Sequence, residues 1–148
     1  MKSKRLNNQG FTLIELIMVI VILGILAVVA LPRFANLQGS AQDAAEQGVV
    51  GGVRSGIAVQ YAQVLADAIA GNDNYPATLD ATAVGACATA TPCFGTVLDQ
   101  GGVTSGGWSK LAAAAGFEGT YQHVGSNTST YNYESTDGSF VCSGAACP

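Results

Sequence analysis

The chain predicts an α+β fold: one long N-terminal α-helix, part membrane-spanning and part amphipathic, packed on a small antiparallel β-sheet head. Three observations carry that prediction. Residues 11–31 are apolar apart from Thr12, Gly24 and one full charge, Glu15, and about 20 such residues span a bilayer as a helix. Helical periodicity then continues beyond the apolar run to about Ala70. After it, short runs rich in Tyr, Thr and Val alternate with Gly- and Asp-containing breaks, the pattern of short strands joined by turns.

The segment before the apolar run, residues 1–10, carries Lys2, Lys4 and Arg5 and no acid. Basic residues flanking an apolar span stay in the cytoplasm, so the remainder of the chain faces outward. A secretory signal peptide would have an apolar core of about 7–15 residues followed by a small-residue cleavage site. Here the apolar run is longer, continues into Pro32, Arg33 and Phe34, and is preceded by the small residue, Gly10. Cleavage after Gly10 would leave the apolar segment in the mature protein.

The amphipathic part, residues 32–70, has two informative faces. At 100° per residue, Val50, Val53, Ile57, Tyr61, Val64 and Ala68 fall within about 80° of one another, a stripe suited to covering a core. The opposite face collects Ala41, Ala44, Ala45, Gly48, Gly52, Ser55, Gly56, Val59, Ala62 and Ala66. Each mid-helix Gly costs ~1 kcal/mol relative to Ala, and a merely solvated face more usually carries Glu, Lys and Gln. The repeat Gly48, Gly52, Gly56 therefore reads as a surface for close approach of another helix. A helix from Phe11 to about Ala70 would be roughly 90 Å long at 1.5 Å per residue. The remaining residues cannot bury such a rod, so lipid and other subunits must cover it. Pro32 removes the bond to the Val28 carbonyl, and with Gly24 two turns earlier it marks the segment where a bend or local melting is expected.

Residues 71–148 form the predicted head. Residues 71–107 read as a long loop with one short strand near 96–98, and residues 108–115 as a short helix stopped by Gly116. Strands are expected at 119–124, 129–135 (Tyr131 and Tyr133 on one face) and 139–142. Asp137-Gly138 is a two-residue hairpin signal between the last two.

Charge and cysteine content narrow the function. The chain carries −4 in total; beyond the leader, three basic residues (Arg33, Arg54, Lys110) face ten acidic ones, giving −7. That balance disfavours nucleic acid as the main partner. Four cysteines, Cys87, Cys93, Cys142 and Cys147, lie beyond the apolar span, which fits two disulfides in an oxidising compartment. Their spacings are looser than those of zinc-binding pairs. Local bridges Cys87–Cys93 and Cys142–Cys147 are favoured because each closes a short loop. The two crossed pairings stay open, because longer loops gain more from closure. No catalytic constellation, metal-ligand set or phosphate-cradling loop is visible, and no cofactor is expected. His123 is the single histidine and reads as an ordinary strand residue. Asn127-Thr128-Ser129 fits a glycosylation sequon.

Glu15 is the exception among the polar residues. A carboxylate near a helix N-terminus is worth about 0.3–1 kcal/mol. If Phe11 becomes the new N-terminus, its amine lies four residues away, and an unpaired charge in an apolar filament core is costly. Pairing one subunit's amine with a neighbour's Glu15 relieves both; at 4 Å and an effective dielectric of 20 the attraction is on the order of 4 kcal/mol before desolvation.

The string Gly10-Phe11-Thr12-Leu13-Ile14-Glu15, behind a basic leader, resembles the class III signal of type IV prepilins and their pseudopilin relatives. The continuation through residues 20–27 with Pro32-Arg33-Phe34 is similar to the same family, and the Asn36-Leu37-Gln38 that follows resembles mannose-sensitive haemagglutinin-type pilins in particular. The resemblance covers residues 9–60. It implies a pilin-like fold, cleavage between Gly10 and Phe11, and N-methylation of Phe11 by the prepilin peptidase. It also implies assembly through Glu15 into a helical filament of identical copies, to which the helix reading above adds Gly24, Pro32, Gly48, Gly52 and Gly56 as assembly positions. The subunit would sit in the inner membrane, its head in the periplasm or outside, until an assembly platform builds it into a surface filament for attachment and motility. The alternative is a pseudopilin of a type II secretion or DNA-uptake system, for which a C-terminal calcium loop would be expected. A single-span membrane protein with a periplasmic binding domain leaves the Gly10-Phe11 junction unexplained.

Overall fold

The computed structural model describes residues 10–67 and 75–148. The leader ahead of Gly10, and the expected helix end at residues 68–70 with the turn at 71–74, lie outside the described residues. The chain divides into two compact units, Met1–Gln38 and Gly39–Pro148. Helix α1 runs from Leu13 to Ala66 with Pro32 inside it. It is an uninterrupted α-helix across both Gly24 and Pro32, so neither residue melts it in the isolated subunit.

In the first unit the helix exposes a continuous apolar surface, including Leu16, Ile20, Leu23, Leu26 and Val29. It is long and apolar enough to cross a membrane. In the second unit the predicted apolar stripe turns onto the head: Val50, Val53 and Ile57 are buried. Tyr61 is half-buried and stacks on Tyr75, the ring centroids 4.1 Å apart.

The head is a five-stranded meander in sequence order, every neighbour antiparallel. Its strands are β1 (Gly85–Ala86), β2 (Trp108–Leu111), β3 (Gly119–Val124), β4 (Thr128–Glu134) and β5 (Ser139–Ser143). The alternation along a strand puts Trp108, Tyr121, Tyr131, Tyr133 and Phe140 on the buried face. There they enclose Phe94, which contacts Trp108 and Phe140 edge-on and Tyr121 at a tilt. On the other face, Thr120 Oγ1 donates to Asn132 Oδ1 at 3.0 Å, and Asn132 Nδ2 to Ser143 Oγ at 3.2 Å.

The last three strands lie where the sequence places them. The connection between β4 and β5 is four residues, 135–138, rather than two. The Asp137 carboxylate accepts the Ser139 amide at 2.8 Å, and Gly138 takes a positive φ beside the Tyr75 ring.

The segment before them departs from expectation. Residues 108–111 form a strand, not a helix. Gly106 and Gly107, both at positive φ, turn the chain just ahead of Trp108, and pairing with β3 places Trp108 and Lys110 on the inner face. Burying an indole and an ion-paired lysine outweighs the helix preference of the alanines that follow. Residues 96–98 lie in a turn, not a strand. The Val97 and Leu98 amides both donate to the Phe94 carbonyl, and Phe94 adopts a left-handed φ of 62°. That conformation costs roughly 1–2 kcal/mol for a non-glycine residue; complete burial of the ring offsets it.

Candidate functional site

The first candidate site is the N-terminal end of α1. Gly10, Phe11 and Glu15 are all exposed, and Thr12 and Glu15 form a reciprocal cap. The Glu15 amide donates to Thr12 Oγ1 at 3.3 Å, while the Thr12 hydroxyl and amide lie 3.3 and 3.5 Å from Glu15 Oε2. This is a capping box, Thr at the N-cap and Glu three residues on. The Thr12-x-x-Glu15 spacing is itself a capping-box signal in the sequence. Glu15 therefore has a local partner in the isolated subunit.

The second is the small-residue face of α1. Gly48 is open, with nothing within 4 Å of where a Cβ would stand, and Gly51 beside it is open as well. The other two members of the repeat are not open. A Cβ on Gly52 would lie 3.5 Å from Leu98 Cδ2, and one on Gly56 would overlap the Val97 carbonyl. Gln60 Nε2 bonds the Thr96 carbonyl one turn further on. The turn at 94–98 lies against the helix here, so Gly56 is glycine because its own head approaches it. The reading of the repeat as a surface for another helix is corrected at Gly56, where the close approach is made by the chain's own turn, and Gly52 already lies in ordinary contact with Leu98.

Two buried polar clusters escaped the sequence reading. Glu46, one turn before Val50 on the core-facing stripe, is buried; it accepts from Tyr131 Oη at 2.7 Å and pairs with His123 Nδ1 at 2.9 Å. Asp80 is buried at the centre of the other. It receives Lys110 Nζ at 2.5 Å, Tyr121 Oη at 2.8 Å, the Thr82 hydroxyl at 2.9 Å and the Phe94 amide at 3.3 Å. Burial raises the Asp80 carboxyl, but these hydrogen bonds outweigh it and hold the group below the ordinary carboxylate range. Burial, followed by the Asp80 charge, pushes the Tyr121 hydroxyl far upward. Buried charges persist when they are paired and hydrogen-bonded, and both clusters tie loops or helix to the sheet. A Glu on an otherwise apolar helical stripe was the one signal that could have shown the first.

The cysteines form the two local bridges, Cys87–Cys93 and Cys142–Cys147. Cys93 is buried beside Phe94, whereas Cys147 is exposed. In the sequon, Asn127 is exposed but Ser129 is buried and donates to the Ala146 carbonyl at 3.0 Å. Among the described residues, no three His, Cys, Asp or Glu side chains cluster as metal ligands.

Comparison with known proteins places the same weight on the N-terminal end. Residues 5–31 match the family model for the prokaryotic N-terminal methylation motif. The chain is 45% identical over 58 residues to the type IV narrow pilus major component PilA5 of Thermus thermophilus. The aligned part covers 39% of this chain and spans about half the length of that relative (50%). No solved structure matches.

Proposed function

We propose that this chain, a type IV pilin by its N-terminal motif and its fold, is a structural subunit of a type IV pilus rather than an enzyme. The observation that carries the reading is the Gly10-Phe11 junction with Glu15 inside the matched methylation motif, at the head of an apolar helix whose surface the subunit leaves uncovered. Residues 1–10 are a leader removed by a prepilin peptidase, which also methylates the new Phe11 amine. Residues 11–31 hold the subunit in the inner membrane before assembly and form the filament core afterwards. Residues 32–70 and the head at 71–148 make the outer part of an extracellular filament used for attachment. Export of the head fits its two disulfides.

The Glu15 carboxylate leaves its own Thr12 cap, or shares it, to receive the Phe11 amine of a neighbouring copy; the pair fixes the axial stagger between subunits. The pilus is favoured over a secretion piston because the matched relative is a pilus component. Electron microscopy of sheared surface filaments, with intact mass spectrometry of their subunit, tests the reading. Filaments built from a chain beginning at methylated Phe11 support it; filaments lacking this chain, or containing it with residues 1–10 attached, overturn it.

A further inference from the structure

We infer that Arg54 is the head's docking point for a carboxylate of a second copy of this chain. The inference rests on the filament reading and names one contact within it.

In the unit Gly39–Pro148, Arg54 and Lys110 are the two basic residues. Lys110 is spent on Asp80, its side chain 15% exposed. Arg54 is exposed. Its Nε donates to the Phe140 carbonyl of β5 at 3.0 Å. That bond uses one of the five guanidinium donors and fixes the plane of the group, leaving the two terminal nitrogens directed as a fork. Among the described residues, no carboxylate lies within 4 Å of Arg54. The guanidinium lines a cleft of about 410 Å³ with Gln47, Gly51, Tyr131 and Pro148. Gly51 presents no side chain to this cleft, and a Cβ there would meet nothing within 4 Å.

The rest of the same unit presents the opposite charge. Asp43, Asp67, Asp99, Glu118, Glu134 and Asp137 are exposed or half-exposed, and none has a basic partner among the described residues. Two such heads brought side by side repel one another. The one cation that is both solvent-facing and pre-oriented offsets that repulsion only if it meets a neighbour's carboxylate. An oriented guanidinium is suited to this by planar, charge-assisted bonding. A contact of this kind selects register and partner as much as it adds affinity.

The test uses the full chain in cells that assemble it, reading sheared filament yield against membrane subunit level. Arg54→Glu is expected to lower yield about tenfold or more, since close interfacial charge pairs couple by 1.5 kcal/mol or above and 1.4 kcal/mol is tenfold. Arg54→Gln is expected to lower it severalfold and to leave filaments that dissociate at lower salt. Arg54→Lys, which cannot make the Phe140 bond in the same way, is expected to lie between Gln and wild type. In the Arg54→Glu background, Lys is then placed in turn at Asp43, Asp67, Asp99, Glu118, Glu134 and Asp137; one of these swaps is expected to restore at least half the yield. Wild-type yield from Arg54→Glu overturns the inference while leaving the filament reading intact. So does a loss that no swap restores, because Arg54 then serves only its own head through Phe140. Absence of filaments from the wild-type chain overturns both.

Discussion

At Glu15 one carboxylate can close the capping box with Thr12 or pair with a neighbour's amine, and substitution separates the two. Gln preserves the cap geometry but carries no charge; Ala removes both. Glu15→Gln is expected to insert, be cleaved after Gly10 and start its helix normally, yet to give few filaments, as is Glu15→Ala. Leader cleavage by mass and filament yield by shearing are the measurements; a Gln variant that assembles normally beside an Ala variant that does not would assign Glu15 to capping alone. The helix glycines make the second case at this scale. Gly48→Ala adds a methyl group into open space, so melts of the fragment 39–148 should show up to ~1 kcal/mol of added stability. Gly56→Ala drives a methyl into the Val97 carbonyl and is expected to destabilise the same fragment by about 1–3 kcal/mol, as overpacking does. The two residues are indistinguishable in sequence, because nothing local records that the turn at 94–98 comes back against one of them.

Among elements, what could be read ahead of the structure was what a periodicity or a turn residue declares by itself. The helix was legible because apolar residues recur at 3.6-residue spacing onto Val50, Val53 and Ile57, all of which the structure buries. Strands β3 to β5 were legible from alternation, Tyr131 and Tyr133 sharing the inner face. Strand β2 was not. Its residues Trp, Ser, Lys and Leu run into alanines and show no period of two until Lys110 is known to reach Asp80, 30 positions earlier. The same non-locality hid the Glu46 cluster, whose partners His123 and Tyr131 lie 77 and 85 residues away. At the candidate site the Gly10-Phe11-Glu15 signal needed no structure, while the division of the glycine stripe into open and covered positions did. The helix–sheet contact gives the prediction proper to this scale. Ile57→Ala should destabilise the fragment 39–148 by roughly 2–5 kcal/mol, because Ile57 is 2% exposed and its loss leaves a cavity. Chemical denaturation measures this; a change under 1 kcal/mol would mean that α1 is not held through this stripe.

For the molecule as a whole, buried polar groups with displaced protonation make stability depend on pH at both ends. Asp80 has its folded value held below the unfolded one, about 3.9. The folded state then binds fewer protons than the unfolded state around that pH, so stability is fully present above about pH 5 and is lost as pH falls through the depressed folded value. Tyr133 behaves in the opposite sense. Burial, with Glu118 next, pushes its hydroxyl up to about 12. The neutral form is the one the core accepts, so its contribution is intact below the unfolded value of about 10 and is lost as pH rises toward about 12. Tyr121, raised further by burial and by Asp80, extends the alkaline limb. Declines below about pH 5 and above about pH 10 are therefore expected from urea melts of the fragment 39–148. Asp80→Asn sharpens the test. It should flatten the acid limb, and it should cost about 3–5 kcal/mol at pH 7, because Lys110 would be left as a largely buried, unpaired charge. Adding Lys110→Met should recover much of that loss without restoring the acid limb. An acid limb that survives Asp80→Asn unchanged would place the acid-sensitive group elsewhere in the head.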